Sequence, residues 1–163
     1  MNHFIKIVAT FCLVVFCALL SSAQSPAAYE RAGDNAMQIG DYATANTYYY
    51  SAFIEENDNA EYAFKLAESC RLYNDYENAE RYYTKVAVLD KNNKFPLADF
   101  YLAEMKQRLG DYDDSKKIYE NYVQFNSKDS SSYFYAKAKR EIINCDVAKE
   151  LLKDTLKADI NNM

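Results

Sequence analysis

The chain has 163 residues, 24 acidic and 19 basic, giving a net charge of −5, and it carries a single histidine, His3. Its length gives room for one domain, and the acidic balance argues against a nucleic-acid role, because phosphate binding needs a basic footprint. With no histidine beyond His3, the body of the chain lacks the means for Ser-His-Asp or Cys-His catalysis and the commonest metal ligand.

Residues 1–23 read as a signal peptide. Lys6 precedes an apolar run from Ile7 to Leu20, and Ser21 and Ala23 place small residues before a cleavage point after Ala23. The run is too short and wrongly flanked for a membrane span, although an uncleaved anchor is the competing reading. Phe11 before Cys12 and Phe16 before Cys17 deny a lipoprotein signal its small residue. Cleavage leaves 18 basic and 24 acidic residues, and only Cys70 and Cys145. An exported protein is expected, in the periplasm, with outer-membrane association only through a partner. Two cysteines so far apart give no disulfide framework, and Cys70 sits at an apolar helix position as a small core residue.

The remaining chain repeats itself. Gly40-Asp41-Tyr42, Asn74-Asp75-Tyr76 and Gly110-Asp111-Tyr112 stand 34 and then 36 residues apart. Eight residues before each turn stand Ala32, Leu66 and Leu102, and seven before stand Gly33, Ala67 and Ala103. Five after come Ala45, Ala79 and Ser115, and nine after come Tyr49, Tyr83 and Tyr119. Apolar residues at helical spacing on both sides predict two antiparallel helices meeting at each turn. The Gly or Asn permits a left-handed backbone and stops the first helix. The aspartate caps the second, small residues allow close approach, and the tyrosines fill the space between. One such hairpin cannot bury its apolar face alone, so stacked units are expected.

The predicted units span 26–59, 60–93 and 96–129, with two extra residues near Lys94-Phe95-Pro96 widening the second gap. A fourth, partial unit begins with YFYAKAKREII (133–143), its turn falling at Asn144. A separate terminal cap is expected over 146–157, completing a domain of 24–158, and the tail 159–163 reads as disordered.

This pattern resembles the tetratricopeptide repeat (TPR), a 34-residue helix-turn-helix with Leu-Gly, Tyr, Ala, aromatic and Pro signposts. The resemblance implies an all-α, right-handed α-solenoid of three repeats plus a fourth partial repeat and capping helix. The chain departs from the signposts in carrying Asn57, Lys91 and Ser127 for the proline, and Tyr29, Ala63 and Asp99 for the tryptophan. The succession YERAGDNAMQIGDYATANTYYYSAF, DYENAERYYTKVAVLD, GDYDDSKKIYENYVQ and KREIINCDVAKE is also similar to the N-terminal TPR module of exported Bacteroidetes OmpA-family proteins, some of which serve type IX secretion. In that family a propeller-like region and a peptidoglycan-binding domain follow. This sequence ends at Met163 without them, so wall binding is not implied, and a stand-alone adaptor or a truncated relative remains.

The TPR resemblance implies that the first helix of each pair lines a concave groove. Ten residues before each turn stand Glu30, Phe64, Phe100 and Phe134; six before stand Asp34, Glu68, Glu104 and Ala138. Three before stand Met37, Arg71, Gln107 and Glu141, and two before stand Gln38, Leu72, Arg108 and Ile142. Phe64, Phe100 and Phe134, with Glu68, Arg71, Glu104 and Arg108, are therefore expected to hold a peptide or protein segment by apolar anchors, unless some of the phenylalanines pack under the neighbouring repeat. Phe and Glu at these positions argue against a clamp for C-terminal carboxylates. No cofactor, metal or small-molecule substrate is expected. Glu55-Glu56 and Asp113-Asp114 point apart on a helix and form no acid–base dyad, and Asp58, Asp90 and Asp129 lack calcium-loop spacing. The expected function is a non-catalytic scaffold or adaptor of an envelope or secretion assembly, the alternative being a glycan-binding accessory protein of nutrient uptake.

Overall fold

The computed structural model describes residues 25–161, with side chains from 25 to 154. The signal peptide expected over 1–23 lies outside the described residues, as do the last two positions of the expected tail.

The described residues form seven α-helices and no strand. Helix α1 spans Pro26–Gln38, α2 Tyr42–Glu55, α3 Ala60–Leu72, α4 Tyr76–Leu89, α5 Ala98–Arg108, α6 Tyr112–Phe125 and α7 Tyr133–Asn161, with a short 3-10 turn at Ser127–Asp129 before the last. Consecutive helices pack in pairs, α1 on α2, α3 on α4, α5 on α6, and each pair stacks on the next. The architecture is the expected all-α solenoid of stacked hairpins.

The three turns work as the sequence requires. Gly40, Asn74 and Gly110 take φ of 77°, 66° and 85°, which reverses the chain at the end of α1, α3 and α5. The next residue then reaches back five positions: Asp41, Asp75 and Asp111 donate their N–H to the carbonyls of Ala36, Cys70 and Lys106, each at 2.9 Å. The same aspartates accept, through their side chains, from the N–H of Thr44, Asn78 and Asp114. One residue thus closes the first helix and caps the second. Ser25 and Asn59 cap α1 and α3, while α5 starts without a side-chain cap. In the widened loop before α5, Asp90 instead accepts from the N–H groups of Lys94 and Phe95.

Close helix approach follows from the small residues. Ala45, Ala52, Ala63, Ala67, Ala79 and Ala103 are fully buried. At Gly33 a Cβ would stand 2.5 Å from the Tyr49 ring, so glycine is required there by space. Tyr49, Tyr83 and Tyr119 fill the hairpins from the second helix of each unit. The core divides into two clusters, one from α1 to α5 and one around Phe100, Tyr119, Tyr122 and Ala138. Cys70 and Cys145 are both free and buried. Cys70 Sγ accepts from Asn46, and Cys145 Sγ contacts Ser115 Oγ, which donates to the Ala103 carbonyl at 2.8 Å.

The C-terminal part differs from expectation. No turn forms at Asn144 and no separate cap follows; α7 runs unbroken through both segments, and residues 159–161 continue it. Two features account for this. Cys145 stands where the other turns have their capping aspartate, so no side chain is present to cap a new start, although Asn144 keeps the residue type of the Asn74 turn. Asn144 also bonds within the helix, donating to Glu141 at 2.9 Å.

Candidate functional site on the face of the odd-numbered helices

Helices α1, α3, α5 and α7 share one face of the solenoid, and the polar side chains on it are tied across neighbouring helices. Lys65 on α3 donates to Glu30 at 2.6 Å and Asp34 at 2.8 Å on α1. Arg71 on α3 pairs with Glu68 at 2.7 Å, and its guanidinium lies 4.2 Å from the centre of the Tyr101 ring on α5. Gln107 and Glu104 on α5 meet Glu141 and Lys137 on α7 at 3.1 and 3.4 Å.

A second layer lies beneath. Tyr49 Oη donates to Asp34 at 2.7 Å, and Tyr83 Oη donates to Glu68, fifteen residues back in both units. Burial pushes both phenols up, and the adjacent carboxylates push them further. Burial pulls Arg71 down, but its bonds to Glu68 and the charge of that carboxylate outweigh this and hold it above its ordinary value. The third unit breaks the rule. Tyr119 Oη is buried without a hydrogen-bond partner, while Glu104, at the matching position, is drawn to Arg108 and Lys137.

The expected site residues separate into three groups. Glu68, Arg71, Glu104 and Arg108 lie on the shared face. Arg108 is the most open of these, with its side chain 48% exposed, its guanidinium 5.0 Å from the Tyr76 ring centre, and an open depression of about 440 Å³ between it, Glu104, Gln107 and Glu141. Phe64 and Phe134 are half-buried: Phe64 stacks on Phe95 with ring centres 4.5 Å apart, and Phe134 sets its edge on Phe100 at 5.1 Å. Phe100 belongs to the core, with no exposed surface, enclosed by Tyr101, Tyr119, Tyr122 and Phe134. A ladder of three open phenylalanines is therefore not formed. Sequence reasoning missed Lys65, Tyr101 and Lys137, which carry the cross-helix contacts. For two of them a signal was present: Lys65 and Tyr101 hold the same offset, nine before the turn, whereas Lys137 stands seven before Asn144.

Among the described residues no cluster of His, Cys, Asp and Glu could hold a metal ion, and burial pushes the Cys70 thiol up to about 12, far from a reactive thiolate at neutral pH. Among the described residues no helix is long and apolar enough to cross a membrane.

No protein-family model and no curated protein matches the chain. Solved structures do. The MamA protein superimposes with a TM-score of 0.69 at 16% identity, over 85% of this chain and 72% of its own. The first TPR of Spaghetti bound to an HSP90 peptide gives 0.63 at 16% identity, over 78% and 95%. The Yersinia enterocolitica type III secretion chaperone SycD, in complex with a peptide of the translocator YopD, gives 0.63 at 15% identity, over 74% and 92%. These likenesses settle the architecture, and by fold the chain is a TPR solenoid.

Proposed function

We propose that the protein is a non-catalytic adaptor that holds a peptide or protein segment against the face of α1, α3, α5 and α7, within an exported envelope or secretion assembly. The observation that carries this reading is the pre-tied face itself. Its cations are already paired and its rings already stacked, so little side-chain freedom is lost when a segment is laid on it. Arg108, beside the depression near Gln107 and Glu141, is the side chain with the most freedom to meet a ligand carboxylate or carbonyl. Two of the similar structures, the Spaghetti TPR and SycD, hold peptides, which supports a peptide or protein as the class of ligand. The envelope setting rests on the leader-like N-terminus and on the resemblance to exported modules.

The test is a crosslinked pull-down from envelope fractions, comparing wild type with an Arg71→Ala/Arg108→Ala variant whose helicity is checked by circular dichroism. A protein captured by wild type and lost from the folded variant supports the reading. Capture that is equal for both places the contact elsewhere and overturns it.

A further inference from the structure

Over its described side chains, residues 133–154, helix α7 turns one face to the core. Phe134, Ala138 and Ile142 face the second core cluster, and Cys145 is buried against Ser115. The opposite face carries Tyr133, Ala136, Arg140, Ile143, Val147 and Leu151, at steps of 3, 4, 3, 4 and 4. This is the spacing of a seam between two helices. All six are exposed, the four large apolar ones by 67% for Tyr133, 63% for Ile143, 51% for Val147 and 62% for Leu151. On α3 the positions matching Tyr133, Ala136 and Arg140, which are Ala63, Leu66 and Cys70, are hidden to 1% or less, while Tyr73, which matches Ile143, is 57% exposed.

The charges beside the seam say what fits it. Lys139 and Arg140 precede the apolar centre; Asp146 and Glu150 follow it, Glu150 holding Lys153 at 2.8 Å within the helix, while Lys149 is tied to Asp113 on α6. A parallel copy would set base on base and acid on acid. An antiparallel copy about a two-fold axis level with Cys145 sets Ile143 against Val147 of the second copy, and Arg140 against Glu150 of the second copy, each contact occurring twice. The helix is self-complementary in that one orientation. We infer that α7 is a self-association helix, joining two copies of this chain antiparallel through Ile143 and Val147. This goes beyond the peptide-holding role and does not depend on it. Its consequence is two ligand faces in one particle, which raises the avidity for any partner presenting two segments.

The test is sedimentation equilibrium on the purified protein, with Val147→Glu as the variant. Val147 is half-exposed, so the variant should keep its helicity, which circular dichroism verifies. Wild type is expected at twice the single-chain mass, and Val147→Glu at the single-chain mass, with association weakened at least about 100-fold because two carboxylates would be buried near the axis. Orientation is read by mixing an Arg140→Cys protein with a Glu150→Cys protein: a disulfide-linked pair should form on mixing and in neither protein alone. Wild type that stays single at every concentration overturns the inference, even if a different protein binds at Val147. A pair that survives Val147→Glu, or that crosslinks Arg140→Cys to itself, overturns it equally.

Discussion

Replacing Phe100 by alanine separates packing from binding at the position where the two readings compete. Phe100 has no exposed surface, and its ring centre lies 5.5 Å from those of Tyr101 and Tyr119, 5.6 Å from Tyr122 and 5.1 Å from Phe134. Truncation removes a ring from a closed aromatic cluster and leaves a cavity that rigid neighbours refill poorly. Such losses cost about 3–5 kcal/mol, and edge-on aromatic pairs place this one toward the upper end. Phe64→Ala, at a half-buried site with Phe95 able to shift over it, should cost about 1–2 kcal/mol. The assay is urea denaturation followed by circular dichroism, with the midpoint and slope read separately. Phe100→Ala should move the midpoint at least twice as far as Phe64→Ala with no comparable change in slope. Near-native stability of Phe100→Ala combined with loss of a captured partner would refute the core assignment and restore the ladder of groove phenylalanines.

Three further outcomes follow from the hairpin interiors. Gly33→Ala places a Cβ 2.5 Å from the Tyr49 ring; overpacking of about 1–3 kcal/mol should exceed the gain of about 1 kcal/mol in helix propensity, so the thermal midpoint should fall, and a rise would refute the close approach. Tyr119→Phe removes a buried hydroxyl that has no partner and should be neutral or stabilising by about 1 kcal/mol, whereas Tyr83→Phe, which strips a bond from Glu68, should destabilise by about 1–2 kcal/mol in the same denaturation assay. Alkaline pH should weaken the fold: Tyr49, Tyr83 and Cys70 hold their protons more tightly folded than unfolded, so the unfolded state binds fewer protons and stability falls as pH rises past about 9. An unfolding midpoint that is flat between pH 8 and pH 10.5 would contradict that sign.

The parts of the structure that were legible in the sequence are those set by short-range chemistry. Gly40, Asn74 and Gly110, each followed by a capping aspartate, dictate where a helix stops and the next begins, and no tertiary information is needed to place them. The alanines and tyrosines at fixed offsets fall inside the hairpins for the same reason. The floor of the face shared by α1, α3, α5 and α7 was less legible, because three phenylalanines at one offset have three different surroundings. Phe64 is covered by Phe95, which comes from the widened loop before α5. Phe100 is closed in by α6 and by Phe134, and Phe134 has no later unit in the described residues to close over it. An offset gives a direction on one helix, while burial depends on what the next unit brings. The fusion of the last two segments into α7 was readable in principle from the absence of an aspartate after Asn144.

The third unit shows how one residue position can serve two ends. In the first two units the carboxylate six before the turn accepts from the tyrosine nine after it, locking a hairpin to itself through Tyr49 with Asp34 and Tyr83 with Glu68. In the third, Glu104 turns instead toward Arg108 and toward Lys137 on α7, and Tyr119 is left without a partner. A buried unpaired hydroxyl costs about 1–3 kcal/mol, so this exchange is unfavourable within the hairpin. It is offset where α7 docks, by Gln107 to Glu141, Lys116 to Asp146 and Lys149 to Asp113, which together grip the helix along both edges. The ties hold α7 at a fixed rotation, with Lys137 and Glu141 toward α5 and Ile143 and Val147 turned outward. A rigid α7 is the element that both proposed surfaces share, so cutting the Glu104 tie with Glu104→Gln should loosen α7 and free its carboxamide to serve Tyr119. Hydrogen exchange along α7 is the measurement: faster exchange near Lys137 with unchanged exchange in α1 to α4 is the expected result, and uniform protection would show that Glu104 has no part in fixing the helix.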